Sequence, residues 1–166
     1  MKNLLLIFIG IVILALTGCG GGGPSNDTPT PTPVTMVLKI STEGPDSSFS
    51  GIGFTYTLPA GVTVATNPNG SVAAGVAVPS GVISSATAPS PQIYYTPAGT
   101  EPAKLDIVVA SNIAGGFGIG EFFSITVTRP TGNTAPTAAD FSLINFAPAN
   151  LLYQAIDGIN CKLTVQ

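Results

Sequence analysis

The stretch Phe123-Ser124-Ile125-Thr126-Val127-Thr128-Arg129-Pro130-Thr131-Gly132-Asn133 decides the fold class. Phe123, Ile125 and Val127 alternate with hydroxylated residues, and a period of two puts all three on one face of an extended strand. Arg129 to Asn133 then stops the strand, because proline has no N–H to give to a ladder and glycine admits the backbone of a tight turn. The same alternation recurs outward from here: Met36, Leu38 and Ile40; Ile52, Phe54, Tyr56 and Leu58; Leu105, Ile107 and Val109; Ile159, Cys161, Leu163 and Val165. Turn signals separate these sets at Glu43 to Asp46, Pro59 to Gly61, Asn67 to Gly70, Pro79 to Gly81 and Gly115-Gly116. Short alternating strands at such spacing predict an all-β sandwich or barrel.

Less regular strands are expected over Val72 to Val78, Val82 to Ala86 and Gln92 to Thr96, and one short helical turn near Pro136 to Phe141, where a proline is well placed to begin it. The string AGV-x-V occurs at Ala60 to Val64 and again at Ala74 to Val78, too brief a recurrence to define a repeat by itself. Charged residues are only 8% of the 166, which leaves little material for long solvent-exposed helices. The net charge is −3, and no basic run exists that could neutralise a series of phosphates, so nucleic-acid binding is not expected.

Several segments together resemble a cohesin-type domain. They are Ile52-Gly53-Phe54 running to Leu58-Pro59-Ala60-Gly61-Val62, then Lys104 to Ala110, then Gly118-Ile119-Gly120-Glu121-Phe122-Phe123-Ser124-Ile125. The resemblance implies a cohesin-like jelly-roll β-sandwich over residues 35–166, of the kind found in cellulosome cohesins and related bacterial surface modules. The Pro59 to Val62 bend is turn chemistry in this reading and marks no site.

Residues 1–18 read as a signal peptide: Lys2 precedes an apolar run from Leu4 to Leu16, too short for a spanning helix. Leu16-Thr17-Gly18-Cys19 resembles the lipobox of bacterial lipoproteins. That resemblance implies cleavage before Cys19, a diacylglycerol on its sulfur and a third acyl chain on the new amine, so that two or three chains hold the protein durably at a membrane. Gly20 follows Cys19 in place of the Asp that retains lipoproteins in the inner membrane, which favours the outer membrane or cell surface. Residues 19–34, rich in Gly, Pro and Thr, are expected to form a disordered or polyproline-like spacer.

The residue types exclude most familiar chemistry. With no His in the chain, triads and the familiar zinc sites have no base and no ligand. Cys161 falls in an apolar alternating set and reads as a core thiol. Asp106, Glu121 and Asp140 are the nearest candidates for a carboxylate pair, but no local motif joins them and each reads as a solvated acid. Spaced calcium ligands of the EF-hand type are absent, which also argues against a dockerin in this chain. No metal site, cofactor or catalytic set is expected. The candidate binding residues are Tyr94 and Tyr95, of which only one can face outward from a strand, with Tyr153 and Phe122 as further exposed rings. The expected function is a noncatalytic, membrane-anchored binding or adhesion module for a protein partner or polysaccharide. The alternatives are a structural envelope lipoprotein without a discrete ligand and a carboxylate-based hydrolase.

Overall fold

The structure, a computed structural model, describes residues 32–45, 48–83, 91–111 and 114–166. The leader, Cys19 and most of the spacer lie outside these residues. Everything described belongs to one compact unit, Pro31–Gln166, which holds its own hydrophobic core.

Eight strands form in chain order: β1 (Val34–Glu43), β2 (Gly51–Thr57), β3 (Ala77–Pro79), β4 (Gln92–Thr96), β5 (Lys104–Ala110), β6 (Gly120–Arg129), β7 (Ser142–Ala149) and β8 (Asn160–Val165). They make two four-stranded antiparallel sheets, ordered β3-β6-β1-β8 and β4-β5-β2-β7, that pack face to face as an all-β sandwich. The pairings are nested: β4 with β5, β3 with β6, β2 with β7 and β1 with β8. A chain folded back on itself as one long ribbon and wrapped over two sheets gives this jelly-roll pattern.

Four of the five alternating sets point into the core, with Leu38, Ile40, Leu105, Ile107, Val109, Phe123, Ile125 and Val127 fully buried. The fifth set, on edge strand β8, is only half-buried beyond Ile159 because no further strand covers it. Phe54 of one sheet lies between two rings of the other, 5.7 Å from Phe122 and 6.5 Å from Phe123, in edge-to-face geometry that aromatic quadrupoles favour. Across the same interior, the Tyr56 hydroxyl meets the Cys161 Sγ at 3.4 Å. Cys161, expected in the core, is only half-buried on the edge strand and packs against the core from there; burial pushes its thiol up and favours the protonated form.

The expectation that Phe122 is exposed opposite Phe123 is overturned: both rings are fully buried. The β1–β6 register shifts after Ile40, where Ile40 faces Phe123 and Ser41 faces Glu121, leaving Phe122 as the extra residue of a β-bulge. The bulge breaks the alternation and turns two consecutive rings to the same side. β7, which no alternation announces, has the same cause. Its register against β2 also shifts, Asn145 adopts a left-handed φ of 55°, and the inward residues become Leu143, Phe146 and Pro148. That spacing of three and then two, with a proline tolerated on an edge strand, hides the strand from a period-two reading.

The expected strand over Val72 to Val78 shrinks to β3, with Val72 in a lone bridge to Thr66, and Val82 sits in a turn rather than a strand; residues 84–86 lie outside the description. The helical turn is present as a 3-10 turn, Ala138–Asp140. The two AGV-x-V strings prove equivalent in shape. Gly61 and Gly75 take φ of 79° and 80°, and the N–H groups of Val62 and Val76 donate back to Pro59 O and Ala73 O, closing two like turns. Both turns deliver their following residues to the same edge of β6, at Thr128 and at Ile125.

Candidate binding face

β4 settles which tyrosine faces outward. Gln92, Tyr94 and Thr96 are exposed, whereas Ile93 and Tyr95 turn towards the core. Tyr94 is 63% exposed, the most exposed ring on the described strands. Pro91 and Pro97 bracket the strand and restrict the backbone on both sides.

Register places the neighbours of Tyr94 on the same surface. Tyr94 faces Asp106, Asp106 faces Thr55, and Thr55 faces Ile144. The next row reads Gln92, Val108, Gly53 and Ala147. Val108 and Ile144 are 49% and 38% exposed, so two aliphatic side chains flank the line from the ring. Gly53 leaves the middle of the face low, since a Cβ there would meet only Val108 Cγ2 at 4.0 Å. The Thr55 hydroxyl donates to Asp106 Oδ1, which occupies part of the one carboxylate on the four strands of this sheet. Lys104 is its only strand cation. The surface carries one strand cation and one strand carboxylate and is partly apolar, with an amphipathic ring at one side.

Tyr95 serves a different place. With Thr57, Pro59, Pro97, Glu101 and Asp140 it lines a groove of about 650 Å³ where loops gather at the end of the sandwich from which β1 starts. Burial pushes its phenol up, so it remains a neutral donor. Glu101, which sequence reasoning did not single out, joins Asp140 here, but the Asp140 carboxylate accepts from both the N–H and the hydroxyl of Thr137. Those bonds hold it below the usual carboxylate range. Glu121 is likewise held low, by Lys39 Nζ at 2.8 Å. Neither acid has the raised pKa that a general acid needs. Asp106, Glu121 and Asp140 stand on one outer face, the opposite outer face and a loop end, so the fold does not assemble them across a cleft.

Among the described residues no three of His, Cys, Asp and Glu gather as a metal would require, and no helix is long and apolar enough to cross a membrane. Tyr153 is 86% exposed in a loop after β7, as expected of it. Val108 was legible as the outward partner of the Leu105, Ile107 and Val109 set; Ile144 was not, because it belongs to the bulged strand. The chain matches no family model, no curated protein and no solved structure.

Proposed function

We propose that this chain is a lipid-anchored, noncatalytic binding module displayed outside the cytoplasm, at the outer membrane or cell surface, with a cohesin-like domain that takes a protein partner on the outer face of the β4-β5-β2-β7 sheet. The observation that carries the reading is Tyr94, 63% exposed on the same face as the exposed Val108 and Ile144. Rigid aromatic rings set among apolar neighbours are the usual centres of protein interfaces. The nested strand pairing supports the cohesin likeness, and Leu16 to Cys19 supports the anchor. The test is a proteomic capture with residues 31–166, repeated with Tyr94→Ala. A partner retained by the parent and lost by the folded variant supports the reading; no retained partner, or unchanged affinity, overturns it. The anchor is tested separately by palmitate labelling, which Cys19→Ser should abolish.

A second reading has its own observation, the groove lined by Tyr95, Glu101 and Asp140. A ring, carboxylates and hydroxyls around a depression suit a saccharide, which a glycan array with Tyr95→Ala as control would reveal. Blank results in both screens would leave the structural envelope role.

A further inference from the structure

From the loop that joins β7 to β8 we infer a lipid-contacting tip: Leu151, Leu152 and Tyr153 seat the distal end of the sandwich in a bilayer surface. The three side chains are consecutive and 43%, 74% and 86% exposed. Such a run on a soluble domain normally has a function. None of the three grooves described on this unit is lined by these residues. Its backbone is prepared for a dry environment. The N–H groups of Leu152 and Gln154 donate to Asn150 Oδ1 at 2.8 and 3.0 Å, that of Tyr153 to Asn150 O at 2.9 Å, and that of Asn150 to Gln154 O at 2.8 Å. An apolar medium penalises unpaired donors most, and here three of them are turned onto Asn150 and a fourth onto Gln154 O, while the side chains of residues 151–153 are exposed. Leu151 lies over Gly116, where a Cβ would come within 3.1 Å of its Cδ2, so a backbone without side chain supports the loop from below.

A bilayer is chosen over a protein groove because of reach, a step that rests on the lipid-anchor reading. The tip follows Ala149, opposite Gly51, at the end of the sandwich away from Val34. A ten-residue β1 spans about 33 Å. The fifteen steps from Cys19 to Val34, at about 3.1 Å each, reach about 45 Å, so the domain can lie over and touch the bilayer that holds its anchor.

The experiment uses isotope-labelled residues 31–166, which carry the whole core, titrated with uncharged phosphatidylcholine nanodiscs. The amide signals of residues 151–154 should broaden first, while those of β4 stay sharp. Leu151→Ser with Leu152→Ser should weaken partitioning at least about tenfold, since two leucines leave the lipid. Leu152→Ser alone, at the more exposed position, serves if the double variant does not fold. No broadening at millimolar lipid, broadening centred on Tyr94, tip shifts that follow protein concentration without lipid, or equal partitioning of the variants would each overturn the inference. Because Cys19 is absent from this sample, a negative result leaves the anchor reading to its own labelling test.

Discussion

The two outer faces of the sandwich are built on one core and treat water differently. On the β3-β6-β1-β8 sheet the outward residues of β1, β6 and β8 are largely Ser, Thr and Lys, β3 adds one exposed aliphatic, Val78 at 46%, and charge is paired within the face: Lys39 with Glu121 and Lys162 with Glu43, each at 2.8 Å. Hydroxyls and ion pairs that keep their water gain little from a partner, because desolvating them costs what new contacts return. The β4-β5-β2-β7 face instead exposes Tyr94, Val108 and Ile144 around a glycine, and its single carboxylate is already engaged by Thr55. Burying the patch around Tyr94, Val108 and Ile144 releases water from apolar area. The contrast shows that an exposed ring gains meaning from its neighbours.

The inner faces should show no such asymmetry, and the largest expected effects test that. Ile125→Asp and Ile107→Asp place a charge in the shared core from opposite sheets, and each should cost several kcal/mol, comparable with the whole stability of a domain. Thr126→Asp and Asp106→Thr, on the outward sides of the same strands, should be mild. Denaturant titration of the four variants decides it; a large difference between the two core variants would mean that one sheet carries the fold.

Phe122→Ala comes next, with an expected loss of about 3–5 kcal/mol for a fully buried ring. Ser124→Ala, two residues on and pointing outward, should stay within about 0.5 kcal/mol. If Phe122→Ala proved equally silent, the bulge would be absent and the ring outside, which would make the first sheet's outer face aromatic as well.

Tyr94→Ala sharpens the comparison directly. It should weaken partner binding by about 2 kcal/mol or more, roughly thirtyfold, with little change in stability. Lys39→Ala, on the opposite face, should leave affinity unchanged in the same calorimetric titration. The reverse ranking would move the interface to the charged sheet.

The smallest effect belongs to the Lys39–Glu121 pair, whose side chains keep about a third of their exposure, 31% and 36%. Glu121→Gln should cost about 0–1 kcal/mol at neutral pH. Since Lys39 lowers the Glu121 pKa from 4.5, its contribution is present above that value and fades as pH falls through the depressed one. Parent and variant should therefore converge in acid. Divergence below pH 4.5 would show that the pair does not stabilise the folded state.

Much of this was written in local pattern. Period two assigned the inward sides of β1, β2, β5 and β6, proline and glycine located the turns, and Gln92 to Thr96 was recognisable from end to end as β4. Alternation also required that only one of Tyr94 and Tyr95 face out, because successive side chains leave a strand on opposite sides. Which one did so depended on the sheet that received β4. Tertiary pairing likewise created the two bulges, since an extra residue exists only relative to a partner strand. It buried Phe122 beside Phe123, formed β7 from Leu143, Phe146 and Pro148, and brought Ile144 and Val108 onto one surface with a ring fifty residues from the first of them. A side chain's period is a property of its own segment and can be read there; its neighbours across a sheet are set by the register that lowers the free energy of the whole core.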